Sequence, residues 1–282
     1  MRVLLLLLPL FVLSAYKSPK ELKPLYKHYL FVPHGEVHLQ IQTDEGWKWH
    51  KDTVSSCLIS ITEVSNLDYR EFVYWLKTNN DPRLQKMIPD STVWAKGPLK
   101  FGQPFVDHYY SHPAYNDYPV VGVSVEQATA YCNWLTAQLA KTYPNIHVKA
   151  RLPRKNEWIR AARGDSRMSY ANGALLKNEE GLPMYNYKQI GDEYVSQSEE
   201  GEYIVIDSLG FDSDSYITTQ IPSYYPNEFG LYNMCGNVAE LVEEGVAMGG
   251  SWNSTGYDIR VDSEMPASKS CEIGFRVLLE IH

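Results

Sequence analysis

The sequence predicts an α+β fold that is irregular and loop-rich, with few helices and short antiparallel strands. Three observations carry this. Apolar residues recur at helical spacing in only three stretches, and strand-like patterns are brief and scattered. Between 79 and 118 no period survives: Pro82, Pro89, Pro98, Pro104 and Pro113 interrupt the chain while Trp94, Phe101, Phe105, Tyr109, Tyr110 and Tyr115 interleave. With 21 Tyr and 7 Trp in 282 residues, rings are available to fill the irregular space, their polar tips finding partners.

Taken in order, residues 1–15 read as a secretory signal. Arg2 supplies the positive start, 3–13 is an apolar run too short to span a bilayer, and Leu13-Ser14-Ala15 offers a cleavage site. No Cys follows for lipid attachment. Residues 16–28, rich in Lys and Pro, read as a flexible leader, and 29–282 as one domain. The alternation over 29–42 and the run 57–62 are strand candidates. A first helix follows, capped by Asn66, with Tyr69, Phe72, Val73 and Leu76 on one face. Ser124 and Gln127 form a capping box for a second helix with Ala128, Tyr131, Cys132, Leu135 and Leu139 inward. A strand over 148–152 leads to a third helix over 155–163 with Trp158 and Ala162 inward. Residues 164–228 are irregular apart from a hairpin arm over 199–206, and 273–279 closes the chain as a strand.

The net charge of −8 argues against nucleic acid or an anionic membrane surface as partner. Cys57, Cys132, Cys235 and Cys271 permit up to two disulfides in an exported chain, or stand as buried thiols. His108 and His112, four apart but on no evident helix, read as surface or packing residues. The acids of 192–202 read as a solvated stretch rather than a catalytic pair.

The stretch 230–241, GLYNMCGNVAEL, concentrates polar chemistry. Two glycines bracket two asparagines, and Glu240 follows Asn237 by three residues. Amide, backbone and carboxylate oxygens around a tight turn are what Ca²⁺ requires; the same residues also make a turn whose asparagines cap their own backbone.

The motifs, read together, resemble a family. ISITEVSNLDYREFVYWL (59–76), PVVGVSVEQATAYCNWL (119–135), RLPRKNEWIRAARGD (151–165), PNEFGLYNMCGNVAEL (226–241), MGGSW (248–252) and GFRV (274–277) occur in the order seen in formylglycine-generating enzyme (sulfatase-modifying factor) domains. The resemblance spans about 30–280 and implies the irregular formylglycine-generating-enzyme fold, of the C-type-lectin kind. IPDSTVW (88–94) and YYSHPAYNDYPVVGVS (109–124) further resemble gliding-motility and type IX secretion proteins of the GldK and GldJ kind, which carry this fold without its chemistry.

In the enzymes, two cysteines after the GGS-aromatic motif hold copper; here those positions are Ser254 and Ile259. Neither a hydroxyl nor a hydrocarbon replaces a thiolate, so no copper and no oxidase activity are expected. The resemblance also implies a Ca²⁺ site at Asn233, Gly236, Val238 and Glu240, and a second near Asn186 and Tyr187 with Asp212 or Asp214. It implies a disulfide from Cys132 to a position that is Val277 here, leaving Cys132–Cys271 or Cys235–Cys271. Ala239, Leu241 and Arg154 depart from the pattern, Arg154 removing a helix-capping hydroxyl. The expected function is a non-catalytic, exported structural or binding subunit of an envelope assembly related to gliding or type IX secretion, in the periplasm or at the outer membrane. Its contact surface would be the aromatic loops. The alternatives are a residual sulfatase-modifying enzyme with altered chemistry and a Ca²⁺-dependent glycan binder.

Overall fold

The computed structural model describes residues 20–44, 46–189, 195–197, 203–205 and 217–282. Residues 1–15, Asp212 and Asp214 lie outside them. In chain order the strands are β1 (Tyr29–Val32), β2 (Gly35–Thr43), β3 (Gly46–Val54), β4 (Cys57–Ser60), β5 (Val148–Arg151), β6 (Val195–Gln197), β7 (Tyr203–Val205), β8 (Ala239–Leu241), β9 (Val246–Met248), β10 (Glu264–Pro266), β11 (Ile273–Gly274) and β12 (Leu278–Ile281). The helices are α1 (Asn66–Thr78), α2 (Leu84–Met87), α3 (Val93–Lys96), α4 (Gln103–His108), α5 (Val125–Thr142) and α6 (Lys155–Arg163).

The main sheet has the order β1-β4-β12-β5, antiparallel throughout. It is covered on both faces, which is why CLIS and LLEI read as apolar runs without clean alternation. Leu58 and Leu279 face a core under α1 and α5, built on Tyr69, Phe72, Tyr131 and Phe275. Cys57, Ile59 and Leu278 face a second core with Trp158 and Ile159 of α6. A second sheet, β10-β9-β8-β11, is antiparallel except for β11, which runs parallel to β8.

The three long helices stand where their patterns put them, with changes at the caps. Ser65, not Asn66, caps α1, its hydroxyl bonding the Asp68 N–H in a reciprocal box. Asn66 is buried at the first helical position and donates to the carbonyls of Tyr109 and Tyr115. Without a hydroxyl at Arg154, the start of α6 is served by carboxylates: Glu157 accepts from the Arg154 N–H at 2.8 Å and Glu244 from the Lys155 N–H at 3.0 Å.

Four expectations are corrected. β3 was not expected at all: its GWKWHKDTV shows no clean alternation because it pairs with β2 alone, in a ribbon lying on α6. Arg163 Nη2 donates to the β2 carbonyl of His38 at 2.7 Å, and Asn156 donates to Asp52. The leader is docked from Lys20 onward: Lys20–Leu25 is a 3-10 turn that buries Leu22 and Leu25 in the first core. The 79–118 stretch holds three short helices, and most of its rings form a third core of Trp94, Tyr109 and Trp252, with Phe105, Tyr115 and Tyr118 packed against it. They fill the interior rather than a contact surface; Phe101, 76% exposed, is the exception. Finally, all four cysteines are buried free thiols. Cys132, Cys235 and Cys271 sit in three different cores, so neither disulfide pairing forms.

Candidate functional site

The turn 230–241 is built on left-handed backbone. Gly230, Asn233, Gly236 and Asn237 have φ of 91°, 54°, 74° and 61°. Asn tolerates this region better than other residues bearing a side chain. At Gly236 the need is absolute, since a Cβ would lie 2.2 Å from the Asn186 carbonyl oxygen. The same carbonyl accepts the Asn237 N–H at 2.8 Å.

The turn feeds β8, whose alternation sends Ala239 and Leu241 into the first core and Glu240 the other way. There Glu240 meets Arg276, and both side chains are fully enclosed. Arg276 Nε and Nη2 each donate to a different Glu240 oxygen at 2.5 Å, and Trp158 Nε1 donates to Glu240 Oε2 at 2.6 Å. Arg276 also donates to the carbonyls of Tyr232 and Ser60, tying the turn to the main sheet. Burial alone would lower the Arg276 pKa, but Glu240 beside it holds it above the ordinary value.

Next to this pair lies a buried carboxylate, Glu63, which among the described residues has no cation in hydrogen-bond contact. Its oxygens accept from Asn237 Nδ2 at 2.7 Å and Asn233 Nδ2 at 3.1 Å. Burial pushes its carboxyl up to about 7; the Arg276 charge opposes that rise and the Glu240 charge adds to it. Asn186, expected at a separate second site, joins this one: its amide donates to Asn237 Oδ1 at 3.2 Å, which also accepts the Thr219 N–H at 2.8 Å. Tyr187 packs in the second core near Gly256.

These residues do not fit a calcium site. The one charged donor of the expected set, Glu240, has its oxygens committed to Arg276 and Trp158. A dication bound there would sit beside a guanidinium. Gly236 and Val238 offer only neutral carbonyls, and the Asn233 amide is engaged with Glu63. Among the described residues no cluster of three His, Cys, Asp or Glu is placed to hold a metal, His108 and His112 included.

The second half of the site is the turn after MGGSW. Gly249 and Gly250 are left-handed, and a Cβ at Gly250 would lie 2.4 Å from the Asp258 carbonyl oxygen. The chain therefore folds back tightly on itself, bringing 254–259 under the motif. Ser254 Oγ accepts from the Ser251 N–H at 2.9 Å and lies 3.2 Å from Ser251 Oγ, which donates to Glu272 at 2.8 Å. A serine beside a carboxylate and no imidazole has no base strong enough to activate it. Ile259 is fully buried in the second core. Copper would need thiolates, but burial pushes the thiols of Cys57, Cys132, Cys235 and Cys271 up to about 12. The donor set does not fit that metal.

The sequence was also compared with known proteins. A family model described as sulfatase-modifying factor enzyme 1-like domain matches residues 15–281. The chain belongs to this family. No curated protein matches it. Among solved structures, sulfatase-modifying-factor-like architecture recurs in Treponema denticola variable protein 1, with 18% identity, 89% of this chain and 94% of that one covered, and a TM-score of 0.55. A structure titled CarF has 19% identity, covers 90% and 98%, and gives 0.55. PvdO from Pseudomonas aeruginosa has 19% identity, covers 90% and 94%, and gives 0.53. At such identities the likeness is one of fold. Within the sulfatase-modifying-factor frame, sequence reasoning missed Glu63 and Arg276 as site residues. Nothing local marks them, since they meet Glu240 and its turn from 170 and 36 positions away.

Proposed function

We propose that this chain is a non-catalytic, exported member of the family that serves as a structural or binding subunit of a cell-envelope assembly of the gliding or type IX secretion kind, in the periplasm or at the outer membrane. The observation that carries the non-catalytic half is Ile259: a hydrocarbon sealed in the core stands where the chemistry needs a thiolate. The binding half is supported by apolar side chains exposed on loops bordering that turn. Leu175, Leu182, Tyr225 and Tyr257 are 69%, 50%, 43% and 68% exposed. Hydrogen bonds from Asn172 and Asn178 to Tyr225 knit two of these loops together, and Leu176 lies against Gly256. Exposed apolar groups on held loops suit contact with a protein partner. No helix among the described residues is long and apolar enough to cross a membrane.

Two experiments test the proposal. A tagged copy expressed in its own cells is expected to co-purify from envelopes with a defined set of proteins; recovery only as a free monomer overturns the assembly reading. Purified protein incubated with Cu(I), O₂ and a cysteine peptide is expected to yield no formylglycine; product formation overturns the non-catalytic reading.

A further inference from the structure

A cavity of about 610 Å³ opens between α1, α5 and the docked leader. It borders the turn region through Glu63, which is one of its lining residues. Asp68 stands on the first turn of α1 and Glu71 on the second, and α5 contributes Tyr131 and Trp134. Tyr29 completes an aromatic wall, with Lys27 and His28 among the lining residues. Tyr29 and Tyr131 are only 8% and 6% exposed; among the described residues their hydroxyls bond to no protein group, and neither oxygen is sealed off from the cavity. Burial first, and then the neighbouring Asp68 carboxylate, raises the Tyr131 pKa, so its oxygen keeps its proton and its lone pairs remain free to accept. Glu71 is exposed and makes no ion pair within the described residues.

We propose that this cavity binds the cationic head of a basic side chain, lysine or arginine, presented by a protein partner. An apolar stem would lie along Trp134 and Tyr131, its N–H groups meeting the two hydroxyls and the Glu71 carboxylate. Aromatic faces with an adjacent carboxylate suit a cation with an aliphatic stem. The inference rests on the binding-subunit half of the proposed function, but its test uses small probes on purified protein. Failure here leaves the co-purification result standing, and the reverse holds.

The experiment is an NMR titration of the full chain with pentylammonium, pentylguanidinium and uncharged pentan-1-ol, following the Trp134 indole N–H. Both cations are expected to saturate and the alcohol to bind more weakly. Glu71→Gln, at an exposed position, is expected to weaken the cations by about fivefold and leave the alcohol unchanged. Tyr131→Phe keeps the ring and is expected to weaken them by roughly threefold. Equal affinity for pentan-1-ol, unchanged cation affinity in Glu71→Gln, or no saturable shift with any probe would overturn the proposal.

Discussion

Two tight turns lie close together in this molecule and have met opposite fates. In 230–241 the polar groups are retained and answered: Glu240 by Arg276 and Trp158, Asn237 by Asn186, Thr219 and Glu63. In 248–259 Gly249 and Gly250 are also left-handed, but Ser254 is bonded within its own turn and Ile259 is sealed in the core. The first turn holds segments distant in the chain together and cannot change piecemeal. The second closes on itself, Ser254 bonding to Ser251 and Ile259 filling the second core.

The comparison is broken most severely at Arg276. Arg276→Met leaves Glu240 buried and unpaired, and a loss of about 3–5 kcal/mol is expected in denaturant unfolding. Adding Glu240→Leu should recover part of that loss, since neither charge is then stranded. Gly236→Ala, with its Cβ meeting the Asn186 carbonyl at φ 74°, is expected to cost about 2–3 kcal/mol by the same measurement. Glu63 sharpens the contrast through pH. Its folded pKa of about 7 lies above the 4.5 of an ordinary glutamic acid, so between these values the folded state holds more protons than the unfolded. Its contribution to stability is therefore full below pH 4.5 and lost as pH rises through 7. Melting Glu63→Gln beside the parent from pH 5 to 8 should show an advantage for the variant that widens with pH. In the second turn, Ser254→Ala is expected to cost no more than about 1 kcal/mol, the worth of one hydrogen bond. Smallest of all, a calcium chelator is expected to leave the melting temperature unchanged, whereas a site filled at a hundred times its Kd would add about 2.7 kcal/mol that chelation removes.

Much of the scaffold was legible because it rests on local rules. A capping box and an apolar stripe located α5, and stripes alone located α1 and α6, since periodicity and caps are properties of neighbouring residues; the Ser65–Asp68 box of α1 was overlooked in favour of Asn66. β3 was not legible: most of its residues are exposed and show no clean alternation, although its ribbon partner β2 does alternate. The final strand was read as one piece over 273–279; Phe275, Arg276 and Val277 instead leave the ladder, and this departure is what puts Arg276 against Glu240. At the site, Asn233, Gly236, Val238 and Glu240 were read as calcium ligands by resemblance; in the fold the Glu240 carboxylate is engaged by Arg276 and Trp158, a long-range meeting that no local pattern announces. Ser254 and Ile259 were set against a cysteine pair by resemblance alone; what the fold adds is the enclosure of Ile259.

The order of strands in the main sheet has a temporal consequence. β12 lies between β4 and β5, so the piece synthesised after every other strand is an interior one. Until residues 278–281 leave the ribosome, β1 and β4 have no bridge to β5, and the helices on either side have no finished surface to rest on. The ribbon β2-β3 and the pair β1-β4 can form without β12, but the main sheet is joined to β5 only through it.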